Sequence, residues 1–185
     1  MIKNTGWTNV PNWQRERIIF GKYEPWKKLL NTIRRYQAVT KTGGLIKLVY
    51  KPLIVLRFRF WSAVCGADIP LNSNLAGGLI IRHPNGIVIH PDAIIGPNCF
   101  IFQQVTIGTG SKPGVPTIGT HVDIGAGAKI LGGITIGDHV KVGANSVVIS
   151  DVPDNCTVVG VPAIIINRNI TDFSTKILQK TSSEL

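Results

Sequence analysis

From Ile89 to Val148 an aliphatic residue returns every sixth position: Ile89, Ile95, Ile101 and Ile107, then Ile118, Ile124, Ile130, Ile136, Val142 and Val148. Glycine follows it at Gly96, Gly108, Gly119, Gly125, Gly137 and Gly143, and a small or apolar residue such as Ala93, Val105, Ala128 or Val140 stands two places before it. A period of six suits neither a helix of 3.6 residues per turn nor a long alternating strand. It suits a solenoid of very short strands, with the aliphatic side chain turned inward and glycine easing the chain round each corner. Weaker returns at Ile69, Leu75 and Ile81 extend the column backward. Only 7% of residues are aromatic, as expected where Ile and Val fill a narrow interior.

The predicted fold class is mainly β, a hexad-repeat parallel solenoid with a short α-helical N-terminal segment. Three hexads make one coil of a triangular prism. Face A then carries Ile69, Ile89, Ile107, Ile130 and Val148; face B carries Leu75, Ile95, Ile118 and Ile136; face C carries Ile81, Ile101, Ile124 and Val142. The rhythm breaks twice. Two residues are extra within 82–86, on the corner from face C to face A, and five are extra within 108–117, on the corner from A to B. Insertions in a solenoid leave at corners, where function tends to sit.

The chain reads as a basic N-terminal helical cap over 1–65, a solenoid over 66–163 and a tail over 164–185. Trp7 and Trp13 are candidate anchors of an irregular start. Trp26, Leu29, Leu30, Ile33 and Tyr36 predict a helix from Pro25 to Thr40, with proline at its first position. After a turn at Thr42-Gly43-Gly44, the apolar stretch Leu45–Val64 falls short of a membrane span. It is read as the helix that covers the open first coil, with shallow attachment to a membrane as the alternative. A short helix is expected in Asn167–Leu185.

Charge is uneven: residues 1–60 carry 13 Lys or Arg against Glu16 and Glu24, a net +11, and the remainder comes to −1. Without an aromatic-interleaved sheet this points away from nucleic acid. An anionic membrane, an acidic glycan or a merely solvated basic face remain as readings. The three cysteines are far apart and odd in number, so free thiols are expected. No apolar leader opens the chain, and a cytoplasmic location, with peripheral attachment at the inner face of the cell membrane, is the expectation.

His83 falls on the C-to-A corner, and Asp68 begins the same corner one coil lower. Coils stack about 4.8 Å apart, which brings the two side chains within possible hydrogen-bonding reach. A carboxylate behind an imidazole fixes its tautomer and supports its protonated form, which equips the imidazole as a general base. The bland alternative is that Asp68 only starts the first coil. Above His83 the same count gives Gln103, Ala126 and Ala144, small enough to leave a groove about 14 Å long over three coil steps, suited to a thin extended arm. The 108–117 loop leaves a different corner, so one chain cannot easily unite loop and histidine. Prisms packed round a threefold axis can. His90, His121 and His139 lack the spacing of a metal site, and no metal is expected.

Over about residues 66–163 the chain resembles the hexapeptide-repeat acyltransferases, in particular the serine O-acetyltransferase-like branch. The carriers are Asp68-Ile69, His83 with Gly86-Ile87-Val88, Gln103 to Gly108, Ile124 to Ile130, Gly143-Ala144 and Val159 to Ala163. The resemblance implies a left-handed β-helix and acetyl-CoA as donor, while the separate corners of loop and histidine point to a homotrimer with interfacial sites. It puts His83 and Asp68 in the catalytic roles and Gly108, Thr109, Gly110, Ala126 and Ala144 along the CoA arm. Two departures bear on the acceptor. Arg82 stands where the branch has an aspartate for the amino group of serine, and the loop reads Gly114-Val115-Pro116 where it has an Arg-His pair for the carboxylate. An unpartnered charge binds poorly, so a saccharide is the expected acceptor, with Arg82 and Gln103 touching it. The shorter architecture resembles capsule and exopolysaccharide O-acetyltransferases. Serine O-acetylation and a non-catalytic scaffold for glycan or membrane are the rivals.

Overall fold

The computed structural model describes residues 9–41 and 45–166, and of 45–47 and 49 the backbone only. Trp7, the turn at Thr42-Gly43-Gly44 and the predicted tail helix lie outside the described residues. A 3-10 turn, Trp13–Glu16, precedes helices α1 (Pro25–Lys41) and α2 (Leu45–Cys65). The first coil holds β1 (Asn74–Leu75) and β2 (Ile80–Ile81), and the second holds β3 (Val88–Ile89), β4 (Ile94–Ile95) and β5 (Phe100–Ile101). The third has β6 (Thr106–Gly108), β7 (Thr117–Ile118) and β8 (Asp123–Ile124), and the fourth β9 (Lys129–Leu131), β10 (Thr135–Ile136) and β11 (Lys141–Val142). The column closes with β12 (Val147–Val148), β13 (Thr157–Gly160) and β14 (Ala163–Ile166).

Three parallel ladders run up the prism: β3-β6-β9-β12 on face A, β1-β4-β7-β10 on face B and β2-β5-β8-β11-β13 on face C. Each pairs the aliphatic residues anticipated from the period. Ile89 lies against Ile107, which lies against Ile130 and then Val148. Each strand has one side chain sealed inside and its neighbour turned outward, so the interior is a stack of Ile and Val with almost no exposure. Each such side chain contributes roughly 1.5–3 kcal/mol by leaving water. β14 turns back antiparallel on β13.

The glycine after the aliphatic residue, Gly108 excepted, serves a different purpose from the one expected. A Cβ on Gly96 would lie 2.3 Å from the carbonyl oxygen of Gly119, and one on Gly125 2.6 Å from the nitrogen of Ala144. Close stacking of coils therefore excludes a side chain there. The left-handed backbone of the corners falls two places further on, at residues such as Asn98, Gln104, His121, His139 and Asn145.

The covering of the first coil also differs. Apart from Cys65 at the end of α2, the helical side chains sealed into the core are those of α1, with Leu29, Leu30 and Ile33 at 0% exposure. The Arg34 guanidinium donates to the carbonyls of Leu75 and Ala76, and the Gln37 amide donates to that of Ser73. α2 forms a second layer on α1. Its Ile54 and Cys65 are buried, Phe58 and Trp61 half-buried, and much of its opposite face meets solvent. The segment before α1 is tied to the column as well: Glu16 accepts from the Leu79 N–H and pairs with Arg34, and Trp13 lies against Gly77.

Candidate active site

Backbone register locates the two extra residues of the C-to-A corner. The Arg82 N–H still donates to Ile101 O, keeping ladder geometry up to Arg82. The Asn85 carbonyl accepts from Gln104 N–H, so the ladder resumes at Asn85. His83 and Pro84 are therefore the residues outside the register, and the position directly beneath Gln103 belongs to Asn85. Above it the stack continues as expected, with Gly127 N–H donating to Gln103 O and Asn145 N–H to Ala126 O. Gln103, Ala126 and Ala144 share one corner position in consecutive coils.

His83 is exposed and adopts φ 51°, left-handed backbone that is uncommon for a residue with a side chain. Asp68 is exposed too and pairs in register with Val88, so it heads an outward-facing column on face A. The two lie one coil apart at the same corner, and no hydrogen bond or ion pair joins them. Arg82, directly before His83, rests its guanidinium 5.9 Å from the centre of the Phe100 ring. Phe100 in turn meets Phe102 edge-on at 4.7 Å. The aromatic pair holds the cation beside the histidine, a support that sequence reasoning missed.

Two features leave room for a ligand. The side-chain oxygen of Gln103 is buried and accepts no hydrogen bond from the described residues. A buried acceptor without a donor costs about 1–3 kcal/mol, so it is a group that a donor on a bound molecule would satisfy. A Cβ on Gly108 would meet nothing within 4 Å, which leaves the end of β6 open for close approach to the backbone.

The 108–117 loop lies against its own column. Gly132 N–H donates to Gly108 O and Gly133 N–H to Lys112 O. A Cβ on Gly133 would sit 2.2 Å from Pro113 O, so the loop needs glycine beneath it. The Thr135 N–H donates to Asp151 and the Lys112 ammonium reaches it at 3.3 Å, and these two, the N–H foremost, hold the Asp151 carboxyl below its ordinary pKa. Within one chain, Thr109 and Gly110 thus belong to the A-to-B corner, away from His83.

His90 follows β3 at the A-to-B corner, and His121 and His139 occupy the B-to-C corner. His121 and His139 stack with rings 5.2 Å apart and 8° from parallel. Asn98 sits one coil below, with its amide nitrogen 3.3 Å from the His121 ring. Cys99 beside it is fully buried, donates its thiol to Gly119 O, and is pushed up to about 12 by burial.

Residues 116–150 match the family model described as bacterial transferase hexapeptide (six repeats). The serine acetyltransferase of Synechococcus elongatus is 48% identical over 107 residues, covering 56% of this chain and 44% of that protein. That of Staphylococcus xylosus is 43% identical over 126 residues, covering 66% and 57%. Among solved structures, serine acetyltransferase from Brucella abortus in complex with Coenzyme A matches with TM-score 0.67 and 35% identity, covering 78% of this chain and 57% of that one. Soybean serine acetyltransferase complexed with serine matches with TM-score 0.65 and 34% identity, covering 77% and 57%. The chain spans about half the length of the curated relatives it matches. All four relatives bear the serine acetyltransferase name, and none is a polysaccharide enzyme.

Proposed function

We propose that this hexapeptide-repeat left-handed β-helix is an O-acetyltransferase that moves the acetyl group of acetyl-CoA onto a hydroxyl. The observation that carries the reading is the corner itself. A two-residue insertion lifts His83 out of register beside a stack of Gln103, Ala126 and Ala144, and the relatives that share this column include a CoA complex. His83 takes the proton of the acceptor hydroxyl as its oxygen attacks the thioester carbonyl. The C–S bond then breaks and the same imidazole returns the proton to the departing thiolate. Asp68 acts as a positioning residue for that ring from one coil below. Gln103 Oε1 accepts from an amide N–H of the CoA arm, which runs past Ala126 and Ala144, while Gly108 lets the arm approach the end of β6.

The assembly that fits is a homotrimer. The loop carrying Thr109 and Gly110 and the insertion carrying His83 stand on different corners, so neighbouring prisms round a threefold axis complete each other's sites. Light scattering tests this, together with recovery of activity on mixing His83→Ala subunits with loop-deleted subunits.

The acceptor that the relatives support is serine, which takes precedence over the saccharide expected from sequence. A second reading, an anionic hydroxyl compound such as an acidic sugar, rests on Arg82. Its guanidinium stands fixed over Phe100 directly before His83, where it repels an ammonium and pairs with a carboxylate or phosphate. Steady-state thiol release with serine and with acidic oligosaccharides, repeated with Arg82→Asp, separates the two. Efficient turnover of serine by the unaltered protein establishes the first. A gain in serine turnover on Arg82→Asp establishes that Arg82 selects against it. Absence of thiol release with every acceptor overturns the enzymatic reading.

A further inference from the structure

The helical hairpin has an unusual surface. Leu53, Leu56, Phe60 and Val64 recur at helical spacing on the face of α2 turned away from α1, and Leu53 is 59%, Leu56 68% and Phe60 59% exposed. At 100° per residue, Arg59 falls on one flank of this stripe and Arg57 on the other, the flank nearer α1, where its guanidinium donates to the Thr32 hydroxyl at 3.3 Å. From Pro25 to Cys65 the sequence has nine Lys or Arg and no Asp or Glu. The two nearest carboxylates are committed, Glu24 to Lys27 and Glu16 to Arg34. Lys28, Arg35, Lys51, Arg57 and Arg59 meet no carboxylate among the described residues. An apolar stripe with a wholly cationic rim is complementary to a surface that is apolar at its centre and anionic at its edge.

We infer that this face of α2 lies in the surface of an anionic lipid bilayer, with Leu53, Leu56 and Phe60 in the headgroup–acyl boundary and Arg57 and Arg59 at the phosphate level. A helix lying in the interface needs one apolar face flanked by basic residues, and the rim supplies attraction to an acidic leaflet. No described helix is long and apolar enough to cross a membrane, so the fit is to the surface. A second copy of the chain is the poorer occupant. Two such stripes brought face to face would confront identical cations with no acid on either side to neutralise them. The column itself carries little net charge, so attachment through the hairpin leaves the corner of His83 in water, free to meet a soluble donor.

The test uses the full chain carrying Phe60→Cys in a Cys156→Ser background, with an environment-sensitive fluorophore on residue 60 and iodide as quencher. The probe is expected to be open to iodide in the free protein at every dilution and with phosphatidylcholine vesicles. It should become shielded only when phosphatidylglycerol is added to the vesicles, with high salt reversing the effect. Arg59→Glu is expected to lower the partition onto those vesicles about tenfold or more, with acetyl transfer in solution unchanged. Shielding already present without vesicles overturns the inference: if it vanishes on dilution a second copy covers the stripe, and if it persists a segment of the same chain does. Equal shielding by neutral and anionic vesicles, or none by either, overturns it too.

Discussion

Two corners of the same prism carry histidine in left-handed backbone, His83 at φ 51° on one and His121 and His139 at φ 54° and 58° on the other. On the B-to-C corner the coils keep strict register, the imidazoles stack on one another, and Asn98 below them donates to Val10 O and accepts from Asn12 N–H. Every group there is part of the wall, and the N-terminal segment is fastened to it. On the C-to-A corner two residues are extra, the histidine stacks on no ring among the described residues, and the amide oxygen of Gln103 in the next coil is unpaired among them. Residue type and backbone conformation are shared by the two corners. Loss of register separates the corner proposed as reactive from the structural one.

The largest expected effect tests that distinction. His83→Ala lowers the acetyl-transfer rate by about 10²–10⁴-fold with the melting temperature unchanged. His121→Ala and His139→Ala leave turnover intact and change stability by about 1 kcal/mol. Near-normal turnover by a folded His83→Ala protein breaks the comparison outright, and Asp68→Asn falls between, with a smaller loss than His83→Ala.

Next comes the fastening role of the B-to-C corner. Asn98→Ala removes two hydrogen bonds to the N-terminal segment and puts alanine where φ is 63°. The expected cost is about 2–3 kcal/mol by thermal or denaturant unfolding, with turnover per folded molecule retained. Asn98→Gly relieves the backbone but not the lost bonds, so it should recover part of the stability. Full recovery would mean the bonds contribute nothing.

A smaller effect is the alkaline response of that corner. The buried Cys99 thiol is pushed up to about 12, against about 8.5 in the unfolded chain. A raised folded value means its contribution is complete below about pH 8.5 and fades as pH climbs toward 12, by about 1.4 kcal/mol per unit. Comparing unfolding of the unaltered protein and Cys99→Ala across that window should show a shallower decline in the variant; parallel curves would refute it. Alkylation at neutral pH should likewise spare Cys99.

The smallest effect belongs to the loop. Lys112→Ala breaks an exposed ion pair and should leave the melting temperature essentially unmoved. Gly133→Ala forces Pro113 away and should raise the apparent KM for acetyl-CoA. If Lys112→Ala proves the more harmful of the two, charge and not close packing holds the loop.

The ladders are legible in the sequence because a six-residue period leaves one assignment of inward residues, and every predicted face is found. The insertion was visible as a count, but only backbone hydrogen bonds narrow 82–86 to His83-Pro84 and put Asn85 beneath Gln103. The helical cover was misjudged for a physical reason. α2 is the more apolar helix by composition, yet α1 concentrates Trp26, Leu29, Leu30 and Ile33 on one side and is sealed by them. Asn98 could not be found from sequence at all, since its partners Val10 and Asn12 lie 88 and 86 residues away and no local pattern links them. The support of Arg82 by Phe100 was within reach, because residues separated by one coil step are neighbours on a face.

Ladder spacing also gives this architecture something like a reading frame. Asp123 pairs with Lys141, so an uninterrupted coil is eighteen residues. Duplicating or deleting a whole coil would return every later side chain to its own face, changing the height of the tower and little else. Duplicating one hexad would keep the interior perfectly aliphatic and yet turn everything after it by a third of a revolution, moving a corner out of line with the one below. Such a protein could fold, resist heat and do no chemistry. Lineages built on this plan are therefore free to add hexads in threes, while any other number of hexads is silent in hydropathy and fatal to the alignment of whatever the corners hold.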